Sequence, residues 1–199
     1  MDEIDRIVAG IRQSQEKLVA ALAGLTDAQA RQPSLLPGWS VGHLLTHVAR
    51  NADSVVRRFE GALRDEVVDQ YVGGQAGRDA EIEAGAGRSA AELVDDVRQT
   101  SAAVDEICAR MPPDAWARMT RSVTGNETAA SHVALSRWRE VEVHHVDLGL
   151  GYTTADWSAE LVQTCLPGVL QTLARRTDSA ALMAWAMNRG PAPDVAAWG

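Results

Sequence analysis

The stretch SRWREVEVHHVDLG, residues 136–149, sets two histidines, three carboxylates and two arginines among valines and a tryptophan. On a helical wheel with Glu140 at zero, His144 falls at about 40°, Arg137 at about 60°, Asp147 at about 340° and Ser136 at about 320°. These five residues form one polar stripe. Leu135, Trp138, Val141, Val143, Val146 and Leu148 occupy most of the other directions. A helix that is apolar on most sides is buried, and a buried carboxylate or imidazole costs free energy unless it is paired or bound to a metal. The stretch therefore predicts a core helix over residues 127–148, ended by Gly149 and Gly151, whose charges face a partner.

Working outward, Ile4, Ile7, Val8, Ile11, Leu18, Ala21 and Leu22 recur mostly at helical spacings and predict an amphipathic helix within residues 3–24. The prolines and glycine of QPSLLPG, residues 32–38, break it. Ser40 then stands as the N-cap of a second helix over 41–63, and Trp39 is placed to staple that helix start against Leu44. Residues 71–88, YVGGQAGRDAEIEAGAGR, read as a glycine-rich, charged loop. Ser89 and Glu92 have the spacing of a capping box for a third helix over 90–110, stopped by Met111-Pro112-Pro113. Residues 114–125 read as extended.

The body, residues 1–152, is thus expected to be four antiparallel helices, a mainly α fold. Residues 153–199 form a small helical or α/β appendage. Ser158 opens a helix over 159–175 that Pro167 interrupts, and a short helix follows over 179–188.

Glu140 and His144, four residues apart, point the same way, a spacing that suits one divalent ion and equally a surface salt bridge. A metal site needs a third ligand from a facing helix. The remaining histidines are His43, His47, His132 and His145. Measured from Val41, His43 points away from the apolar stripe at about 200°, whereas His47 flanks it at about 240° with Asn51 beside it. His47 is the inward candidate, and Asn51 its polar neighbour. Glu142 and His145 form a competing pair on the other side, read as solvated or structural. Asp147 is placed to orient a ligand or to pair with an arginine.

The formal charge of −8 argues against nucleic acid, which requires a basic face. No run approaches the roughly 20 apolar residues of a membrane helix. The opening MDEIDRIVAGIRQ lacks the basic and apolar regions of a signal peptide, so a cytoplasmic protein is expected. Cys108 and Cys165 are too few for a disulfide framework and read as buried thiols. Lys17 is the single lysine among 19 basic residues, and alanine and glycine abound, a bias toward GC-rich codons that points to a bacterial source of that kind.

LPGWSVGHLLTHVARNAD, residues 36–53, and RWREVEVHHVDLGLGYTTADW, residues 137–157, resemble the mycothiol-dependent maleylpyruvate isomerase family of the DinB-like metalloenzyme superfamily. ALMAWAMNRG, residues 181–190, resembles that family's small C-terminal domain. The resemblance implies a DinB-like four-helix bundle with a divalent metal, zinc by expectation, held by His47, Glu140 and His144. It implies mycothiol as the thiol cofactor and a small-molecule substrate. The mycothiol thiolate would add to the cis double bond of maleylpyruvate, the new single bond would rotate, and the thiolate would leave to give fumarylpyruvate. The family's carboxylate-holding arginine falls on Arg189, in a short NRG turn, with Arg137 and Arg139 next in line. The alternatives are a mycothiol S-transferase built on the same site and a helical metal- or partner-binding protein without turnover.

Overall fold

The computed structural model describes residues 2–196. Its helices are α1 (Glu3–Ala21), α2 (Asp27–Ala30), α3 (Val41–Leu63), α4 (Gly74–Ala86), α5 (Ala90–Arg110), α6 (Ala130–Asp147), α7 (Ala159–Leu173) and α8 (Ser179–Ala186). Strands β1 (Met119–Arg121) and β2 (Glu127–Ala129) pair antiparallel, with Met119 opposite Ala129. Two compact units divide between Asp156 and Trp157. Among the described residues, no helix is long and apolar enough to cross a membrane.

The first unit is the four-helix bundle of α1, α3, α5 and α6. Its caps follow the sequence. The Ser40 hydroxyl accepts from the His43 amide, and Ser89 and Glu92 close their box ahead of α5. Leu18 of α1 and Leu22 just past its end, Leu44, Leu45 and Val48 of α3, Leu93 and Val97 of α5, and Val141 of α6 share one buried cluster. Each long helix brings an apolar face that water would otherwise cover, and that burial drives the assembly.

The helices are not all antiparallel. Gly10 lies against the Trp138 ring and Ser14 reaches Glu142, so α1 and α6 run in the same direction. Arg50 of α3 meets Asp96 near the start of α5, and Arg118, just past α5, meets the carbonyls of Ala62 and Leu63 at the end of α3. Helices α3 and α5 are therefore parallel too. The cause is α4, which occupies the segment the sequence suggested was a loop. It carries the chain back along α3 before α5 begins.

Glycine discourages a helix by about 1 kcal/mol per residue relative to alanine, yet here it permits one. A Cβ on Gly42 would lie 2.2 Å from the Ala86 carbonyl oxygen, and one on Gly85 would lie 2.5 Å from the Thr46 methyl. The glycines let α3 and α4 cross almost backbone to backbone, and that packing outweighs propensity.

Two smaller differences have local causes. Residues 127–129, expected to open the fourth helix, pair in the hairpin instead, so α6 starts at Ala130. In the second unit, α7 runs unbroken through Pro167, which forgoes one backbone donor without ending the helix.

Candidate metal centre

The site lies where the start of α3 meets the end of α6. The 31–40 loop fixes that meeting. Val41 donates to the Gln32 carbonyl at 2.9 Å, and Leu35 donates to the Asp147 carbonyl at 2.8 Å. With the two helix ends tied and antiparallel, His47 faces Glu140 and His144.

His47 Nε2 lies 3.1 Å from His144 Nε2 and 3.3 Å from Glu140 Oε2, and His144 Nε2 lies 3.3 Å from the same oxygen. Three ligands of a tetrahedral zinc, each bonded at about 2.0–2.1 Å, are about 3.3 Å apart. The donor triangle thus has the size such an ion requires, and its two imidazoles and one carboxylate are ligand types that suit it. His47 is 5% exposed, so water competes weakly on that side.

The environment separates the two imidazoles. His144 Nδ1 donates to Asp147 Oδ2 at 2.9 Å, which orients the ring and aims Nε2 at the cluster. Burial disfavours the His144 cation, but Asp147 and Glu140 outweigh it and raise its pKa to about 9. Burial lowers the pKa of His47, against the pull of Glu140. Glu140 stays ionised well below the usual carboxylate range, because its bonds to His144 and His47 overcome the cost of burial. Arg78 of α4 sits with Nη2 3.1 Å from His47 Nδ1. A guanidinium only donates, so neutral His47 carries its proton on Nε2 and gives it toward Glu140.

The structure brings together His47, Glu140 and His144 and sorts the remaining candidates. Asn51 is beside them, but its Oδ1 accepts from Arg137 at 2.9 Å. Arg137 leaves the expected stripe and turns into the bundle, where it also donates to Gln15 of α1 and to the Val48 carbonyl of α3. Burial lowers its pKa to about 10, which leaves it a cation at neutral pH. Its long side chain lets it reach past the direction its Cα sets on the wheel. His43 faces Ser40 and Glu83, away from the cluster, and His132 is exposed.

Glu142 and His145 are buried rather than solvated. Cys108 is buried, with its thiol pushed up to about 12 by burial, whereas Cys165 is only half-buried. Arg189 belongs to the second unit, exposed, with Nη1 donating to the carbonyls of Met187 and Asn188 at 3.3 and 3.1 Å.

Sequence reasoning missed Arg78, which lay in the supposed loop, and half the role of Trp39. The Trp39 ring is half-buried against the core, as a staple should be. It also meets the His47 ring edge-on, with centroids 5.5 Å apart, and carries Arg78 over its face at 5.8 Å. A tryptophan directly before an N-cap, two turns ahead of an inward histidine, was the available signal.

A four-helix bundle with two parallel neighbouring pairs and a two-histidine, one-glutamate cluster between α3 and α6 is a DinB-like protein. Residues 11–149 match the mycothiol maleylpyruvate isomerase N-terminal domain, and the chain belongs to that family. It is similar to the crystal structure of the mycothiol-dependent maleylpyruvate isomerase, at 27% identity over 82% of this chain and 68% of that one, with a TM-score of 0.77. A histidine-to-alanine variant of that isomerase matches at 26% identity over the same shares, with the same TM-score of 0.77. YfiT from Bacillus subtilis, a four-helix bundle of unusual topology, shares the fold at 16% identity over 79% of this chain and 91% of that one, with a TM-score of 0.61. No curated protein sequence matches the chain.

Proposed function

We propose that the chain is a metal-dependent, mycothiol-dependent cis–trans isomerase that converts maleylpyruvate to fumarylpyruvate. The observation that carries this reading is the convergence of His47 Nε2, Glu140 Oε2 and His144 Nε2 within 3.1–3.3 Å of one another. Family membership and the likeness to the isomerase support the choice of thiol and substrate.

A divalent ion bound there, zinc by the donor set, would supply the Lewis acidity that holds a thiol cofactor as its thiolate. The chain's own residues do the rest. Asp147 fixes the His144 ring. Trp39 walls the His47 side and keeps water from that ring. Arg189, in our reading, holds a substrate carboxylate in a bidentate grip that a lysine does not reproduce. Neither Cys108 nor Cys165 is needed, because the nucleophile arrives with the cofactor and departs unchanged.

The test mixes metal-loaded protein with maleylpyruvate, with and without mycothiol, and follows absorbance and products. Thiol-dependent formation of the trans acid is expected. A stable thiol conjugate would make the chain an S-transferase, and no thiol-dependent change would leave it a binding protein. In the same assay Arg189→Lys should keep metal and fold yet lose at least about 10-fold in turnover, equivalent to about 1.4 kcal/mol. Wild-type turnover in that variant would remove Arg189 from the site.

A further inference from the structure

We propose that Arg58, with the Tyr71 hydroxyl and Asn51 Nδ2, forms an anion subsite of the first unit that takes a carboxylate of a small ligand whose other end reaches the His47–Glu140–His144 cluster. It deepens the isomerase reading and rests on it for the nature of the ligand.

His47, Asn51, Ser54 and Arg58 lie at i, i+4, i+7 and i+11 of α3, within about 40° of one line along the helix. Side chains on a helix lean toward its N-terminus, so Arg58 runs back toward Asn51 and His47. Its Nε donates to the Ser54 carbonyl at 3.2 Å, four residues back, which confirms the direction.

The two Nη nitrogens are then left without an acceptor. Arg58 is 6% exposed, and among the described residues neither Nη nitrogen has a protein partner. Among the described residues, the buried polar side-chain atoms that lack both a partner and solvent include Arg50 Nε and Ser101 Oγ, and no atom of Arg58. The Arg58 Nη atoms are not of that kind, so they open on accessible space. Two residues share this condition: Tyr71, whose charge acts on Arg58, and Asn51, two turns back on the same face of α3. Tyr71 and Asn51 are each 7% exposed, and neither the Tyr71 hydroxyl nor Asn51 Nδ2 has a partner among the described residues.

These free groups can all donate. Arg137 of α6 provides the contrast. It is as deeply buried, but Gln15, Val48 and Asn51 accept its hydrogen bonds. A buried cation held without a carboxylate is costly, and a fold built for stability alone would pair or replace it. Burial lowers the Arg58 pKa to about 10, with Tyr71 and Glu140 opposing, so it remains charged at neutral pH and within electrostatic reach of the cluster. A planar guanidinium matches the two oxygens of a carboxylate, and a hydroxyl and an amide brought to the same ligand add further donors.

The experiment uses the full chain and maleate, a small cis-dicarboxylate, titrated calorimetrically into zinc-loaded and zinc-free protein. Saturable binding is expected to the wild type. Arg58→Met should retain wild-type zinc content and weaken maleate at least about 10-fold. It should also melt at a higher temperature than the wild type without maleate, because an unpaired buried charge is gone. Tyr71→Phe should weaken maleate by a smaller factor.

Unchanged maleate affinity in Arg58→Met, or no binding to the wild type, overturns the proposal. An Arg58→Met chain that fails to fold overturns it as well, since Arg58 would then hold the structure. A wild type that binds maleate through Arg58 but no zinc would remove the metal reading and keep the subsite. One that binds zinc, with maleate indifferent to Arg58, would do the reverse.

Discussion

Helix α6 carries two glutamate–histidine pairs interleaved along its length, and they meet opposite fates. Glu140 and His144 face α3, where His47 offers a third metal-ligand atom and, among the described residues, every donor aimed at Glu140 is an imidazole. Glu142 reaches Ser14 of α1, and both Glu142 and His145 meet Tyr152 beyond the end of α6. Glu142 accepts from the Ser14 and Tyr152 hydroxyls at 2.5 Å each, and Ser14 in turn accepts from Trp138 Nε1. His145 stacks on the Tyr152 ring with centroids 3.8 Å apart. The two pairs share residue types, so composition does not decide which binds and which holds. The neighbour does: hydroxyls complete a carboxylate's hydrogen bonds, whereas two imidazole nitrogens held 3.1 Å apart need a cation or a proton between them.

The largest effect that separates the pairs is metal retention. His144→Ala should abolish it, with near-zero zinc after dialysis, while His145→Ala should keep one zinc per chain. Equal zinc content in the two variants would erase the distinction. Next in size is stability. Glu142→Ala leaves the buried Ser14 hydroxyl without its acceptor and loses two bonds to a charge, so it should cost about 3 kcal/mol in denaturant unfolding. Zinc content should not change. A Glu142→Ala protein that is as stable as the wild type but metal-free would place that residue in the wrong pair.

Smaller effects divide the two metal-facing imidazoles. Asp147→Asn removes the acceptor that orients His144 and should weaken zinc by about 10–100-fold. Arg78→Met should act the other way and tighten zinc several-fold. A ligating His47 needs its proton on Nδ1, where Arg78 now points a donor at 3.1 Å. The pH dependence has a definite sign. The His144 pKa is raised to about 9, so its charged pairing stabilises the metal-free protein fully below about 6.5 and fades as pH rises through 9. Zinc competes with that proton, so its affinity should climb about tenfold per pH unit over that window and then level off. A flat profile between pH 7 and 9 would contradict the assignment.

These assignments differ in how far the sequence carries them. Glu140 and His144 share one helix, whose rigid spacing alone places them together. His47 follows from the apolar stripe of its own helix. Of the partners that settle the second pair, Tyr152 is nearby in the chain but Ser14 is not: it is 128 residues from Glu142, and nothing in its surroundings marks it as an acceptor's neighbour. Arg78 was hidden for a related reason. Its helix exists because Gly42 and Gly85 let α3 and α4 touch, a contact between distant segments that propensity does not contain. The same unread helix turns an expected antiparallel bundle into one with two parallel pairs.

The smallest expected effect concerns Tyr152, the residue that joins both members of the second pair. Tyr152→Phe keeps the ring that stacks on His145 and removes only the hydroxyl, which donates to Glu142 and, at 3.3 Å, to the Asp156 carbonyl. Ser14 remains as a donor, so the loss should be about 1–2 kcal/mol at neutral pH, with zinc content unchanged. The pH dependence tests the cause. Burial and the bond to Glu142 raise the Tyr152 pKa above the ordinary value near 10. A raised folded-state pKa contributes stability that is complete below the unfolded value and is lost as pH climbs toward the folded one. The advantage of the wild type over Tyr152→Phe should therefore hold constant up to about pH 10 and shrink above it. Unfolding curves for the two proteins at neutral pH and above pH 10 would show it. A difference that stays constant across that range would mean the hydroxyl contributes by filling space rather than by bonding to Glu142.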